Sequence, residues 1–208
     1  YSSIKPILFE LKKNKKLNFK LMVGGSAVLE KYGNLEKVIK KDGFKIDIKF
    51  FNQLDGENNL TMLKSTSKGI DEISTHLNLM RPDLGLVVGD RYETLSFTIS
   101  CAFLNIPIAH TMGGETSGSI DERIRHVNTK FSDYHFPATK LSEKRIIQLG
   151  ENKKRIFNVG CPRIDILNSS LKKKINIKKI FDKGVGKKFD ISKKFLMLSQ
   201  HPVTNEYS

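Results

Sequence analysis

Cysteine is scarce: Cys101 and Cys161 are the only two in 208 residues, so no disulfide framework can hold the fold, and reduced thiols of a cytoplasmic protein are expected. No run approaches the roughly 18 uncharged apolar residues that a membrane-spanning helix needs, so none is expected. An Arg-flanked apolar leader with a small-residue cleavage site is also missing, so nothing points to secretion. Arginine is sparse, seven of the 36 basic residues, and no aromatic stacking pattern interleaves the lysines. The net charge of +14 therefore does not read as a nucleic-acid site. Its location supports this, because residues 172–194 hold ten lysines against Asp182 and Asp190, eight of the fourteen excess charges. A solvated lysine-rich surface is the reading.

What is present is a globular composition, 38% apolar and 28% charged, long enough for one full α/β domain and part of a second. Helix and strand patterns alternate along the chain. Helices are expected over residues 3–13, 34–43, 58–79, 91–104, 119–131 and 140–149. Strands are expected at 19–23, 45–50, 84–88, 106–109, 134–136, 156–159 and 195–199. Residues 84–88 and 106–109 lack polar alternation, as parallel strands covered on both faces do. The fold class is α/β, a doubly wound, mostly parallel, Rossmann-like sheet. The chain enters a helix where such sheets open on a buried strand, and it stops shortly after a new strand. The expectation is a fragment: a domain over 1–167, a basic connection over 168–190, and the start of a second domain over 191–208.

Ligands of open α/β sheets bind beyond the carboxyl ends of the strands. There the sequence places Gly24-Gly25-Ser26, Gly89-Asp90-Arg91, His110-Thr111-Met112-Gly113-Gly114-Glu115, Gly160-Cys161-Pro162 and Gln200-His201-Pro202. Each has a plainer alternative. Asp90 with Glu93, and Ser119 with Glu122, fit helix-capping pairs. His110 ends a buried strand and fits a core histidine. In the helix over 119–131, Ile120, Ile124, Val127 and Phe131 form the expected buried stripe. Asp121 and Arg125 lie four apart on its flank, as an ion pair or as an oriented base, while Glu122 and His126 point away from the core. His110, Glu115 and His126 follow no recognised metal-ligand spacing, so no metal is expected.

The strings GDRYE (89–93), IPIAH (106–110), GGETSGSIDERIRH (113–126), GCPRID (160–165) and QHPVT (200–204) resemble the hydrolysing UDP-N-acetylglucosamine 2-epimerases of sialic acid and related nonulosonic acid biosynthesis. YSSIKPIL (1–8) looks like the segment that comes after that family's first strand and Gly-Thr-Arg-Ala-Asp turn. The resemblance implies the N-terminal domain of a two-domain enzyme of the glycosyltransferase-B type, with a UDP-amino sugar in the cleft and no cofactor. It implies loss of the C2 proton and departure of UDP from C1, a 2-acetamidoglucal-like intermediate, then hydration to N-acetylmannosamine. By position Asp90, Asp121, Glu115 and His201 carry the catalytic expectation. Arg91, His110, Gly113, Gly114, Glu122, Arg125 and His126 carry substrate binding. A homo-oligomer, dimer or tetramer, is expected.

Two positions depart from the pattern. Met112 stands where the sialic acid enzymes usually carry a glutamate, and a thioether cannot transfer a proton. Either Glu115 substitutes, or the activity is lost, or the sugar differs, as in legionaminic acid enzymes acting on UDP-2,4-diacetamido-2,4,6-trideoxyglucose. Ala27 stands where many relatives have histidine. A glycosyltransferase on the same scaffold and a non-catalytic nucleotide-sugar sensor remain the alternative classes.

Overall fold

The computed structural model describes residues 1–56, 58–171, 185–187, 189–190 and 193–199. Helix α1 (Lys5–Lys13) carries Pro6 in its first turn, where a missing N–H costs nothing, and Lys12 and Lys13 in its last, where they face the carbonyl end of the dipole. It covers a small core of Leu8, Leu21, Val23, Ile39 and Phe44. That core lies under β1 (Met22–Val23), α2 (Leu35–Lys41) and β2 (Ile48–Lys49), and β1 and β2 pair in parallel.

Helix α3 (Asn59–Met80) begins at a reciprocal Asn58–Thr61 capping box and ends at Arg81, left-handed at φ 45° just before Pro82. Its buried residues Ser65, Gly69, Ile73 and Leu77 recur every fourth position. Strand β3 (Gly85–Val88) follows, then α4 (Tyr92–Phe103), β4 (Ile108–Thr111), α5 (Ile120–Phe131), β5 (Tyr134–Phe136), α6 (Lys140–Gln148) and α7 (Pro162–Leu171). Strands β3, β4 and β5 form a parallel sheet with β4 central and buried at every position. Phe50, Ile73, Leu77, Val87, Cys101, Ile106 and Ile108 share one core, with Met22 of β1 packed against it, so the two sheets are continuous through their side chains. The all-parallel α/β class is as the sequence pattern implied.

Several local expectations are corrected. The strand expected at 156–159 is one bridge, Ile156 to His135. Residues 194–199 pair in no ladder among the described residues. The connection expected from 168 starts inside α7, which lies against α1 with Arg163 Nε donating to Ser3 Oγ at 2.6 Å. Helix α4 buries Ser96, Thr98, Ser100 and Cys101, while Phe103, which shares helical apolar spacing with Leu95, Ile99 and Ala102, is 80% exposed. Small hydroxyls explain this: Thr98 and Ser100 return their protons to the carbonyls of Thr94 and Ser96, both at 2.8 Å, and so enter the interior satisfied. Ser96 Oγ also reaches the Thr66 carbonyl of α3 at 2.9 Å. A Cβ on Gly69 would come within 2.7 Å of that same Ser96 oxygen, so the α3–α4 contact requires glycine there. Among the described residues no helix is long and apolar enough to cross a membrane.

Ile73, 1% exposed, and Leu79, 79% exposed, occupy opposite faces of α3. In equilibrium urea unfolding, Ile73→Ala is expected to cost about 2–5 kcal/mol, whereas Leu79→Ala should fall within about 0.5 kcal/mol of the parent.

Candidate active site

The carboxyl ends of β3 and β4 open onto a rim of charge, and helix α5 determines which charges meet. Arg125 is buried at 5% exposure, and a buried guanidinium must find acceptors for its forked donors. Its Nη2 donates to Asp90 Oδ2 in the turn after β3, and its Nη1 donates to the Glu115 carbonyl at 2.6 Å in the loop after β4. The expected Asp121–Arg125 pair is thereby corrected. Arg125 points inward along the buried face of α5, whereas Asp121, one turn earlier, is exposed at the rim. The buried stripe itself is polar: Ile124, Arg125, Asn128 and Thr129 face inward, with Val127 and Phe131 outside at 40% and 41% exposure.

Asp90 does not cap α4. The cap position is Arg91, with no side-chain cap bond, and Glu93 accepts from Arg91 Nε at 3.1 Å instead of completing a capping pair. That leaves the Asp90 carboxylate committed to Arg125 and to the rim. Glu93 fills the space over Gly25, where a Cβ would lie 2.3 Å from its Oε1 and the backbone is left-handed at φ +61°. The turn after β1 is anchored from the other side by Asn52, fully buried, which accepts from Gly25 N–H at 2.9 Å. Asn52 was not singled out by sequence reasoning, and Glu93 was read there only as a capping partner of Asp90. Both fit caps or turns as well as a rim.

Asp121 carries the perturbed carboxyl. Loss of solvent in the crowded first turn of α5, and then the neighbouring Asp90 charge, raise its pKa above the usual aspartate value, and Arg91 and Arg125 offset this only in part. Its position in the first helical turn would favour ionisation, but the two local effects prevail. Glu122 accepts from the backbone N–H groups of Ser117 at 2.5 Å and Gly118 at 2.6 Å, which lowers its pKa. It closes the loop leading into α5, as a capping carboxylate does, although its donors precede Ser119. His126 Nε2 lies 3.8 Å from Glu122 Oε1, and its Nδ1 is buried without a partner.

His110 is placed behind the rim, not on it. It is 1% exposed, with Nε2 2.9 Å from the Gly89 carbonyl and Nδ1 3.2 Å from Thr129 Oγ1. A carbonyl can only accept, so Nε2 carries the proton, and Nδ1 shares the single Thr129 hydroxyl proton with the Arg125 carbonyl, which lies 3.0 Å from that oxygen. Burial first, with the His135 and Arg125 charges adding to it, pushes the His110 pKa down to about 4, although the Gly89 bond opposes this. The substrate-binding expectation for His110 is corrected accordingly: no ring nitrogen is free for a ligand. Gly113 and Gly114 are likewise packing positions. A Cβ on Gly113 would meet Thr129 Oγ1 at 2.9 Å, and one on Gly114, at φ +75°, would meet the Ser142 carbonyl at 2.3 Å. Met112 is also buried, at 7% exposure, in the left-handed region at φ 61°. Glu115 sits part-exposed beside Arg125. His201 lies outside the described residues. Among the described residues no group of three His, Cys, Asp or Glu side chains could hold a metal ion.

The rim thus bears an ion-paired aspartate, a second aspartate of raised pKa and an arginine at a helix start. The fold is that of solved UDP-N-acetylglucosamine 2-epimerases. The Neisseria meningitidis enzyme bound to UDP-GlcNAc superposes with a TM-score of 0.72 at 22% identity, over 87% of this chain and 49% of that one. The Methanocaldococcus jannaschii enzyme gives 0.73 at 22% identity, over 89% and 50%. A family model described as UDP-N-acetylglucosamine 2-epimerase matches residues 9–208, and the chain belongs to that family. It is 34% identical over 99% of its length to a Legionella pneumophila UDP-N,N'-diacetylbacillosamine 2-epimerase (hydrolyzing). It is 33% identical over 97% to a Campylobacter jejuni GDP/UDP-N,N'-diacetylbacillosamine 2-epimerase (hydrolyzing). A Neisseria meningitidis UDP-N-acetylglucosamine 2-epimerase is 31% identical over 82%. The chain spans about half the length of these curated relatives: 53%, 51% and 44%.

The depressed His110 pKa has a stability consequence. An unfolded histidine, near pH 6.5, takes up a proton that the folded site refuses until about pH 4. Between those values the unfolded state binds more protons, so His110 contributes stability above about pH 6.5 that is lost as pH falls toward 4. Burial lowers the His135 pKa and acts in the same direction. Thermal unfolding midpoints measured from pH 7.5 to 4.5 are expected to fall through this window, and His110→Asn should flatten the decline.

Proposed function

We propose that the whole protein is a hydrolysing 2-epimerase of a UDP-activated amino sugar, with the 2,4-diacetamido-2,4,6-trideoxy sugar as its substrate. The observation that carries the reaction type is the juxtaposition, in a chain of this family, of Asp90 held by Arg125 with the raised-pKa Asp121 at the strand ends. The reaction breaks the C2–H and C1–O bonds to give UDP and a 2-acetamidoglucal-like intermediate. Water then adds across C1 and C2 to release the C2-inverted free sugar. No electrons are lost or gained overall, so the chemistry asks for no redox cofactor.

Asp121 is the proton carrier, because it is a carboxyl at the strand ends whose pKa is raised above the usual aspartate value by loss of solvent and by the Asp90 charge. Asp90 is a fixed anion facing the positive charge that develops as UDP departs. Arg91 at the start of α4 is suited to the diphosphate, and Glu93 holds it in place. Glu115 and His201 keep their catalytic assignment, Glu122, Arg125 and His126 that of substrate binding, and a homo-oligomer in the cytoplasm is the expected setting.

Two observations favour the diacetamido sugar. The relatives aligned over 99% and 97% of the chain carry that substrate in their names. Met112, where the resembling sialic acid enzymes present glutamate, is turned into the interior. UDP-N-acetylglucosamine is the second reading, favoured by the Neisseria relative.

Purified full-length protein incubated with each sugar nucleotide, with UDP measured by coupled assay and the sugar by NMR, is expected to release UDP and a C2-inverted product, fastest from the diacetamido substrate. Transfer to an acceptor with C2 retained would make it a glycosyltransferase, and failure with both sugars would overturn the proposal. Asp121→Asn should lower kcat by about 10³-fold or more with an unchanged circular dichroism spectrum.

A further inference from the structure

Asp90 is gripped from beneath by a residue to which the family resemblance gives no role. Asn128 is fully buried on α5, three positions beyond Arg125 and on the same inward face. Its Nδ2 donates to the Gly89 carbonyl at 3.3 Å and to Thr94 Oγ1 at 2.9 Å. Thr94 Oγ1 in turn donates to the Arg91 carbonyl at 2.5 Å. The amide thus reaches the Gly89–Asp90 peptide directly and the Arg91–Tyr92 peptide through one hydroxyl.

The orientation of the amide is compelled. The Gly89 carbonyl is an acceptor, and the Thr94 proton is already given to Arg91, so only an NH₂ can face both. The opposite atom, Oδ1, is buried with no partner. An unpaired acceptor in the interior is a standing cost, which an apolar side chain at this position would avoid. The Gly89 carbonyl also receives His110 Nε2–H at 2.9 Å, so both of its lone pairs are used, and the left-handed turn at φ +77° is pinned from two elements.

Resting on the reading of Asp90 as a group that faces the substrate, we propose that Asn128 is a positioning residue for the reaction. It fixes a peptide on each side of Asp90, Gly89–Asp90 and Arg91–Tyr92, while Arg125, one turn away, fixes the carboxylate. Helix α5 thereby sets both the direction and the backbone of the same aspartate.

The test uses the full-length protein carrying Asn128→Ala or Thr94→Val. Asn128→Ala removes one of the two donors to the Gly89 carbonyl together with the support of Thr94, and Thr94→Val removes only the hydroxyl link to the Arg91–Tyr92 peptide. Asn128→Ala is expected to lower kcat about 10- to 100-fold with KM and UDP affinity changed less than about threefold. Thr94→Val is expected to lower kcat by less, and the double variant to be no worse than Asn128→Ala. Amide hydrogen exchange without substrate should rise in residues 89–93 and stay at parent level in α3 and β4. Unchanged kcat together with unchanged exchange at 89–93 overturns the proposal, as does a rise in exchange spread over the whole protein. If Asn128→Ala does not fold, Thr94→Val decides by the same two readouts. If the parent releases no UDP from any sugar, the functional reading fails, while the exchange measurement still tests the grip on Asp90.

Discussion

The site depends on one buried cation. Arg125 is enclosed in the interior, where a guanidinium without acceptors would be prohibitively costly, and its two acceptors come from different loops. One is the Asp90 carboxylate after β3, and the other is the Glu115 backbone after β4. Satisfying this single side chain brings the two strand ends together and holds them at a fixed spacing. It also keeps a negative charge beside Asp121, one of the two causes that raise that carboxyl. Neither the rim nor its electrostatics would survive as described if Arg125 faced solvent.

Around this cation the interior is more polar than a small α/β sheet requires. His110, Asn128, Thr129 and Arg125 line the underside of the rim, and each is bonded to backbone or to another member of the set. Such a network is worth keeping only if nearly every member is satisfied. It is, apart from the Oδ1 of Asn128. Stability here comes from two apolar cores, one shared by β3 and β4 with α3 and α4 and one at β1, α1 and α2, and the polar layer supplies geometry.

How much of this the sequence disclosed depended on the kind of signal. The parallel strands at 85–88 and 108–111 were legible because both-sided burial leaves an unbroken apolar run. Helix α3 was legible from its cap and from Arg81-Pro82. The strand-end motifs located Asp90, Arg91, Asp121 and Glu115 on one edge of the sheet. What failed was helical phase. Apolar periodicity put Val127 and Phe131 of α5 inside, and Phe103 of α4 with them, whereas the structure buries Arg125, Asn128, Ser96 and Thr98. Periodicity assumes that the buried face is the apolar one, and this assumption breaks where a helix covers a functional turn. The partner of Arg125 was misassigned for the same reason: four-residue spacing suggested Asp121, and only the fold shows that the cation turns toward Asp90.

The Asp90–Arg125 bond closes a loop of 35 residues, and β4 lies within that loop. A chain leaving the ribosome would have exposed Asp90 well before α5 emerged to restrain it. The acidic turn is therefore completed late, after the central strand has been laid down. During synthesis, reactive geometry would arise only once β3 and the central strand had already emerged.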